Sequence, residues 1–138
     1  MNEVLQSELK KILNVRFSQS ESTRANYARG EDTYDPVLSE AVVFPETNEE
    51  VSKILKLCNE HKIPVVPFGT GTSLEGNVVG NENGITISLE KMNKVLSVNA
   101  EDFDCRVQAC VTKEQLNEDL REDGVFFPID PGANAAIG

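Results

Sequence analysis

The chain has 138 residues, 39% of them hydrophobic and 26% charged, with a formal net charge of −10. That length allows one domain, which would bury roughly two-thirds of its unfolded surface. The 13 basic residues are scattered through an acidic excess, which argues against a nucleic-acid or anionic-membrane surface, because phosphate backbones need clustered Lys and Arg.

No run of about 18 apolar residues occurs, so no membrane-spanning helix is expected. The first eleven residues lack the basic start and apolar centre of a secretory signal and are too acidic for a typical transit peptide, which favours the cytoplasm. Val4, Leu5, Leu9, Ile12 and Leu13 recur at intervals of three and four, marking one helix whose apolar stripe must pack on something outside itself. Residues 17–40 read as polar and irregular, with Asp32-Thr33-Tyr34-Asp35-Pro36 as a turn. Tyr27, Arg29, Tyr34 and Asp35 could form a polar site there, against the plainer reading of an arm wrapped across the rest. Residues 1–40 are therefore expected to be an N-terminal helix and arm, and residues 41–138 the domain that follows.

Ala41-Val42-Val43-Phe44 reads as a buried strand closed by Pro45. Thr47 can then cap a helix while Glu50 reaches back to it, a capping box, and Val51, Ile54, Leu55 and Cys58 define one apolar face. His61, the lone histidine, falls near the carboxyl end of that helix, where an ordinary capping or surface role suits it. Val65-Val66 begins the next strand and runs directly into Pro67-Phe68-Gly69-Thr70-Gly71-Thr72-Ser73-Leu74-Glu75-Gly76-Asn77. Gly69, Gly71 and Gly76 can take positive φ and let backbone N–H groups converge, while Thr70, Thr72 and Ser73 add uncharged hydroxyls, a combination suited to gripping a phosphate. Neither of two familiar phosphate loops fits: no Lys follows the last glycine, and Leu74 stands where the dinucleotide fingerprint needs its third glycine. The position still counts, because open α/β sheets bind ligands at the carboxyl ends of their strands.

Ile85-Thr86-Ile87-Ser88-Leu89 reads as the following strand. Beyond Asn93, residues 94–99 and 104–111 alternate apolar and polar, predicting a hairpin through Ala100-Glu101-Asp102-Phe103. Thr112, with Gln115 three residues on, caps a second helix that buries Leu116 and Leu120 and stops at Gly124, after which Phe126-Phe127-Pro128 returns toward the sheet. Glu118, Asp119, Glu122 and Asp123 could suggest a metal site but suit a solvated helix face better, so no metal is expected. The three cysteines form no Cys-x-x-Cys pair and are expected to be free; Cys58 shares a helix face, and Cys105 and Cys110, five apart on a strand, point to opposite faces.

Four of these segments, in order, carry a family resemblance. They are Val42-Val43-Phe44-Pro45-Glu46-Thr47-Asn48-Glu49-Glu50-Val51, the glycine loop from Pro67 to Gly76, Leu89-Glu90-Lys91-Met92-Asn93-Lys94-Val95-Leu96, and Phe127-Pro128-Ile129-Asp130-Pro131-Gly132-Ala133. Over about 100 residues the run resembles the PCMH-type FAD-binding domain of the vanillyl-alcohol-oxidase type, and within it the FAD-dependent D-lactate and D-2-hydroxy-acid dehydrogenases. The resemblance implies an α+β fold: the first subdomain of such a domain, a parallel βαβ unit followed by further strands and a helix, preceded by the helical arm. It implies FAD contacts from Pro67, Phe68, Gly69, Thr70, Gly71, Thr72, Ser73, Gly76 and Asn77, with the pyrophosphate on residues 69–73 and Gly76 letting the loop close. Met92, Pro131, Gly132, Ile137 and Gly138 are implied as further contacts, Pro131 and Gly132 presenting backbone along the flavin. Some members of this superfamily hold FAD through a histidine in or near the loop. Residues 64–80 contain none, so non-covalent FAD is expected.

The resemblance also implies that the chain continues beyond Gly138 into the rest of the flavin domain and a substrate domain. The catalytic residues would lie there, residues 1–138 alone would be inactive, and the 2-hydroxy acid would bind through that missing part. A homo-oligomer is compatible with the sequence, and the electron acceptor is left open. Three functions from different classes therefore stand: the FAD portion of a D-lactate or glycolate-type dehydrogenase, the FAD domain of another vanillyl-alcohol-oxidase-type flavoenzyme, and a non-catalytic α+β binding module.

Overall fold

Residues 1–129 and 132–138 are described by the structure, a computed structural model. Helix α1 spans Glu3–Leu13, capped by Asn2, whose Oδ1 accepts from Leu5 N at 2.9 Å. Strand β1, Phe17–Ser18, and helix α2, Glu21–Asn26, follow. Strand β2, Ala41–Val43, leads through Pro45 into helix α3, Asn48–Glu60, and then into strand β3, Val65–Phe68. Strand β4, Ile85–Ser88, the hairpin β5, Val95–Asn99, with β6, Asp104–Val107, and helix α4, Lys113–Leu120, complete the order.

Four strands form one sheet in the order β1-β2-β4-β3, with β2, β4 and β3 parallel and β1 antiparallel at the edge. The expected βαβ unit is present as β2-α3-β3. The sequence did not reveal that β4 inserts between its two strands, pairing Ile85 with both Ala41 and Val65. All four residues of β4 are buried, as befits a parallel strand covered on both faces. Thr86 is accommodated there because its hydroxyl lies 2.8 Å from that of Ser39, itself buried. Pro67, which cannot donate to a ladder, is exposed on the edge strand β3.

The main core joins Leu5, Leu9 and Leu13 of α1 to Phe17, to Ala41 and Val43 of β2, to Ile54 and Cys58 of α3, and to Ile85 and Ile87 of β4. The α1 stripe thus finds its partner on α3 and the sheet, while Val4 stays 61% exposed. The face of α3 turns out rotated from the expected one. Ile54 and Cys58 are buried and Leu57 packs beside them, whereas Leu55 is exposed, because the stripe facing α1 and the sheet runs through positions 54, 57 and 58. Burial pushes the Cys58 thiol up to about 11.

A second cluster gathers Val111, Leu116 and Leu120 with Val95, Val98, Cys105, Val107, Val125 and Phe127. Thr112 caps α4 as expected, accepting from Gln115 N at 3.3 Å; the helix ends at Leu120, earlier than expected, and Gly124, at a left-handed φ of 69°, closes the 3-10 turn Arg121–Asp123 that follows. Phe127 joins this cluster rather than any strand, and Phe126 is exposed. Strand β6 ends at Val107, so Cys110 lies in the following turn and strand alternation does not relate it to Cys105. The acidic residues Glu118, Asp119, Glu122 and Asp123 are exposed, and no group able to hold a metal occurs among the described residues.

Thr47 caps α3 through Glu50 N, and the Glu50 carboxylate reaches back to the Thr47 backbone and beyond it. It accepts from Glu46 N at 2.8 Å and from Arg16 Nη1 at 2.6 Å, because a guanidinium offers two parallel donors and draws the carboxylate across to the end of β1. Arg16 in turn donates to Phe44 O, so the pair fastens β1, β2 and α3 together. The Arg16 guanidinium, with backbone donors adding to it, holds the Glu50 carboxyl at about 2, below its usual 4.5. A depressed carboxylate contributes stability that is fully present above 4.5 and lost as pH falls toward about 2. The difference in unfolding free energy between this chain and its Arg16→Met variant is therefore expected to be about 1–3 kcal/mol at neutral pH and to shrink across that window. Urea unfolding at a series of pH values measures it; a difference that does not change with pH would show that the pair is not ionically coupled.

Candidate functional site

The carboxyl ends of the three parallel strands lie side by side, and the chain leaving each one builds the site. From β3 comes the glycine loop, from β4 comes Glu90, and Phe44 directly follows β2. Tyr27, just beyond α2, lies across all three. Its ring meets Phe44 edge-on at 5.5 Å and Phe68 at 5.0 Å, and its hydroxyl donates to the Glu90 carboxylate. Burial, with the neighbouring carboxylate adding to it, pushes the Tyr27 phenol up to about 12, so it remains a neutral donor. An open depression of about 530 Å³ sits against this wall, lined by Asn26, Tyr27, Arg29, Glu31, Phe68, Thr70, Gly71, Glu90 and Cys110 among others. Burial raises the Cys110 thiol pKa as well, and the Glu90 charge adds to it.

Two of the three loop glycines take the positive φ expected of them. Gly71 and Gly76 have φ of 75° and 72°, but Gly69 does not enter the left-handed region. At Gly69 an added Cβ would meet Ala136 Cβ at 3.6 Å, an ordinary contact, so its value is a small side on which the chain's last residues can lie. Among the described residues, the backbone N–H groups of residues 69–73 donate to no other residue, while the carbonyls of Phe68 and Gly71 accept from Leu89 N and Glu31 N, both at 2.9 Å. Those two carbonyls are tied to neighbouring segments. The donors are left for something else. Thr70 and Thr72 add hydroxyls 3.4 Å apart, and Thr70 Oγ1 also accepts from Ala136 N at 3.3 Å. Ser73 is half-buried, and Asn77 and Pro67 are exposed along the same loop.

The other residues singled out by sequence divide. Ile137 N donates to Val111 O at 2.9 Å and Gly138 N to Ala109 O at 3.0 Å, so the last residues lie beside the 109–113 turn, with Ala136 carrying them to Thr70. Met92 is buried, its N–H bonded to Leu89 O and its carbonyl accepting from Cys110 N. Gly132 is exposed, away from any neighbour that a Cβ would meet. Pro131 lies outside the described residues. His61 closes α3, with Nδ1 3.2 Å from Asn2 Nδ2. Sequence reasoning raised Tyr27, Arg29, Tyr34 and Asp35 as a possible polar site but preferred an irregular arm, and it did not place residues 27–34 against the loop. Tyr27 forms the wall of the depression, and Gly30, Glu31 and Tyr34 lie directly on the loop.

A group with two adjacent phosphates fits this arrangement on physical grounds. Free backbone donors, two threonine hydroxyls and glycines that permit close approach suit a pyrophosphate, and no side chain of residues 69–73 carries a charge. Arg29 is the cation lining the depression, and it also donates to Tyr34 O at 3.3 Å.

Comparison with known proteins gives a consistent picture. Residues 39–138 match the family described as FAD binding domain. The probable mitochondrial D-lactate dehydrogenase of Danio rerio is 42% identical over 120 residues, covering 87% of this chain and 24% of that protein. The mitochondrial D-lactate dehydrogenase [cytochrome] of Arabidopsis thaliana is 40% identical over 134 residues, covering 96% of this chain and 24% of that protein. The chain thus spans about a quarter of the length of these curated relatives. A solved structure of alkyldihydroxyacetonephosphate synthase superposes with a TM-score of 0.91 at 22% identity, over 100% of this chain and 31% of that one, which establishes the same α+β fold.

Proposed function

Because the chain belongs to the FAD binding domain family, we propose that it is the FAD-binding portion of a flavin-dependent oxidoreductase that oxidises a D-2-hydroxy acid, of the D-lactate or glycolate type, to the 2-oxo acid. The observation that carries this reading is the glycine loop at the carboxyl end of β3, where Gly71 O is tied to Glu31 N while the N–H groups of residues 69–73 donate to no other described residue. The pyrophosphate would rest on those N–H groups and on the hydroxyls of Thr70, Thr72 and Ser73. Gly76 would close the loop over it, and the backbone of Pro131, Gly132, Ile137 and Gly138 would continue the contact surface, with Pro67, Phe68, Asn77 and Met92 around it. When bound, FAD supplies an acceptor for the hydride leaving the α-carbon of the hydroxy acid. The chain's own part is to bind and orient: the loop fixes the phosphates, and the Tyr27 and Phe68 rings wall off one side from water.

Retention is non-covalent in this reading, since residues 64–80 hold no histidine. The substrate class is supported by the names of the relatives, and the residues that bind and deprotonate the hydroxy acid would lie in sequence beyond Gly138. A cytoplasmic location is part of the proposal, although both relatives named above are mitochondrial; no helix among the described residues is long and apolar enough to cross a membrane. The test is the complete protein purified and assayed with an artificial electron acceptor. A visible flavin absorbance band, release of that flavin on denaturation and turnover of D-lactate or glycolate are expected. A colourless protein would remove the flavin reading. A flavoprotein inactive on both acids would instead favour another flavoenzyme reaction on the same domain.

A further inference from the structure

We infer that residues 28–34, which precede the span matched by the family, clamp the glycine loop in its binding conformation, with Asp32 as the positioning residue that holds the clamp together. This rests on the reading of the loop as the pyrophosphate site. Three anchors fall along the loop, and all three come from this one short segment. At the loop's start, Glu31 N donates to Gly71 O at 2.9 Å, and Gly30 lies so close that a Cβ on it would overlap that same oxygen. In its middle, the Tyr34 ring covers Gly76, where a Cβ would come within 2.7 Å of Cδ2. At its end, Ala28 O accepts from Gly80 N at 3.0 Å as well as from Val37 N at 3.2 Å.

Asp32 touches none of the loop residues through a hydrogen bond, yet it sets the shape of what does. It is 7% exposed; one carboxylate oxygen accepts from Gly30 N at 3.1 Å and the other from Tyr34 N at 3.0 Å. Those two bonds fold the segment back on itself, so that Gly30 and Tyr34 reach the loop at two separate glycines. The physical consequence is preorganisation. A loop of glycines and small polar residues has much backbone freedom to lose on binding, and a clamp that removes this freedom beforehand strengthens the binding of whatever the loop receives. The clamp also meets the loop at its two glycines of positive φ, Gly71 and Gly76.

The test uses Asp32→Ala, Asp32→Asn and Gly30→Ala in the complete protein. Three quantities are measured: the FAD dissociation constant after cofactor removal, hydrogen exchange of the amides of residues 69–77 in the apoprotein, and the melting temperature. Asp32→Ala is expected to weaken FAD binding about tenfold or more, as loss of charge-assisted bonds does, and to speed exchange across the loop. Exchange in β4 should stay slow. Asp32→Asn keeps one acceptor and should fall between, and it decides the matter if the alanine variant does not fold. Gly30→Ala should speed the same amides by forcing the segment off Gly71. Unchanged affinity and unchanged loop exchange in the folded variants would overturn the clamp, as would weakened affinity with the loop still protected or faster exchange spread equally through β4. A wild-type apoprotein that takes up no FAD would defeat the flavin reading itself, and the exchange comparison would still judge the clamp.

Discussion

Leu9→Ala is expected to cost about 2–5 kcal/mol of unfolding free energy, placing it among the most damaging single substitutions in the chain. Leu5, Leu9 and Leu13 repeat every four residues along one stripe of α1 and are 0%, 0% and 1% exposed. They share a cluster with Ile54 and Cys58 of α3 and with Ala41, Val43, Ile85 and Ile87 of the sheet. Trimming Leu9 loses the transfer free energy of the deleted carbons and leaves a hole at the centre of that stripe. Neighbours on α1, α3 and the sheet cannot all move in to fill it, because each is held by its own element. Val4→Ala, on the opposite and 61% exposed side of the helix, is the control and should stay within about 0.5 kcal/mol. Urea unfolding of this chain followed by circular dichroism measures both. If residues 1–40 were an appendage resting loosely on the rest, Leu9→Ala would leave the main transition where it was.

What sequence reading recovered follows a physical line between local and distant causes. The caps at Thr47 and Thr112 were legible because a hydroxyl and the amide it accepts from lie three residues apart in the same chain. Strands β2 and β4 were legible because burial on both faces demands uninterrupted apolar or β-branched runs, and β3 because Val65-Val66 lies between a helix and the glycine loop. Strand β1 was not, since two residues become a strand only by pairing Phe17 with Val43, a partner 26 positions away. Helix α2 offered a faint signal, Ser20 ahead of Glu21 with its hydroxyl accepting from Thr23 N, but six residues with Ala25 as their one apolar member carry no stripe to confirm it. On α3, Leu55 and Leu57 fit helical spacing equally well. The choice between them was made by where α1 arrives, and that is a tertiary fact.

The candidate site divides along the same line. Its position at the end of β3, its glycines and its hydroxyls could be read directly from residues 67–77. The loop's support could not be read, because Gly30 against Gly71 and Tyr34 against Gly76 are contacts more than 40 positions apart. The glycine pattern says that side chains are excluded there without saying what excludes them.

That distinction bears on Gly71→Val, which is expected to abolish or severely weaken flavin retention by the complete protein. Two independent strains meet at this residue. Its φ of 75° lies in the left-handed region, where a β-branched residue is a genuine outlier and costs on the order of 1–3 kcal/mol. The second is steric: a Cβ at Gly71 runs into the Phe68 ring, 2.8 Å from Cζ and 3.1 Å from Cε1, with Gly30 Cα at 3.8 Å. Valine therefore acts from behind: it pushes on Phe68 and the arm, and the backbone carrying the N–H groups of residues 69–73 must shift to relieve the overlap. Phe68 also packs against Tyr27 at 5.0 Å, so the displacement reaches the wall of the depression. Gly71→Ala separates the contributions, since it brings the same first carbon and the same φ penalty without the branched methyls; it should retain more flavin than valine and less than the wild type. Cys58→Ala is the packing control. Buried between α3 and the core, it should lower stability without changing flavin content at moderate temperature. The ratio of visible flavin absorbance to protein absorbance after gel filtration reports each variant, with circular dichroism confirming that each is folded. Wild-type flavin content in a folded Gly71→Val protein would mean that this loop does not hold the pyrophosphate.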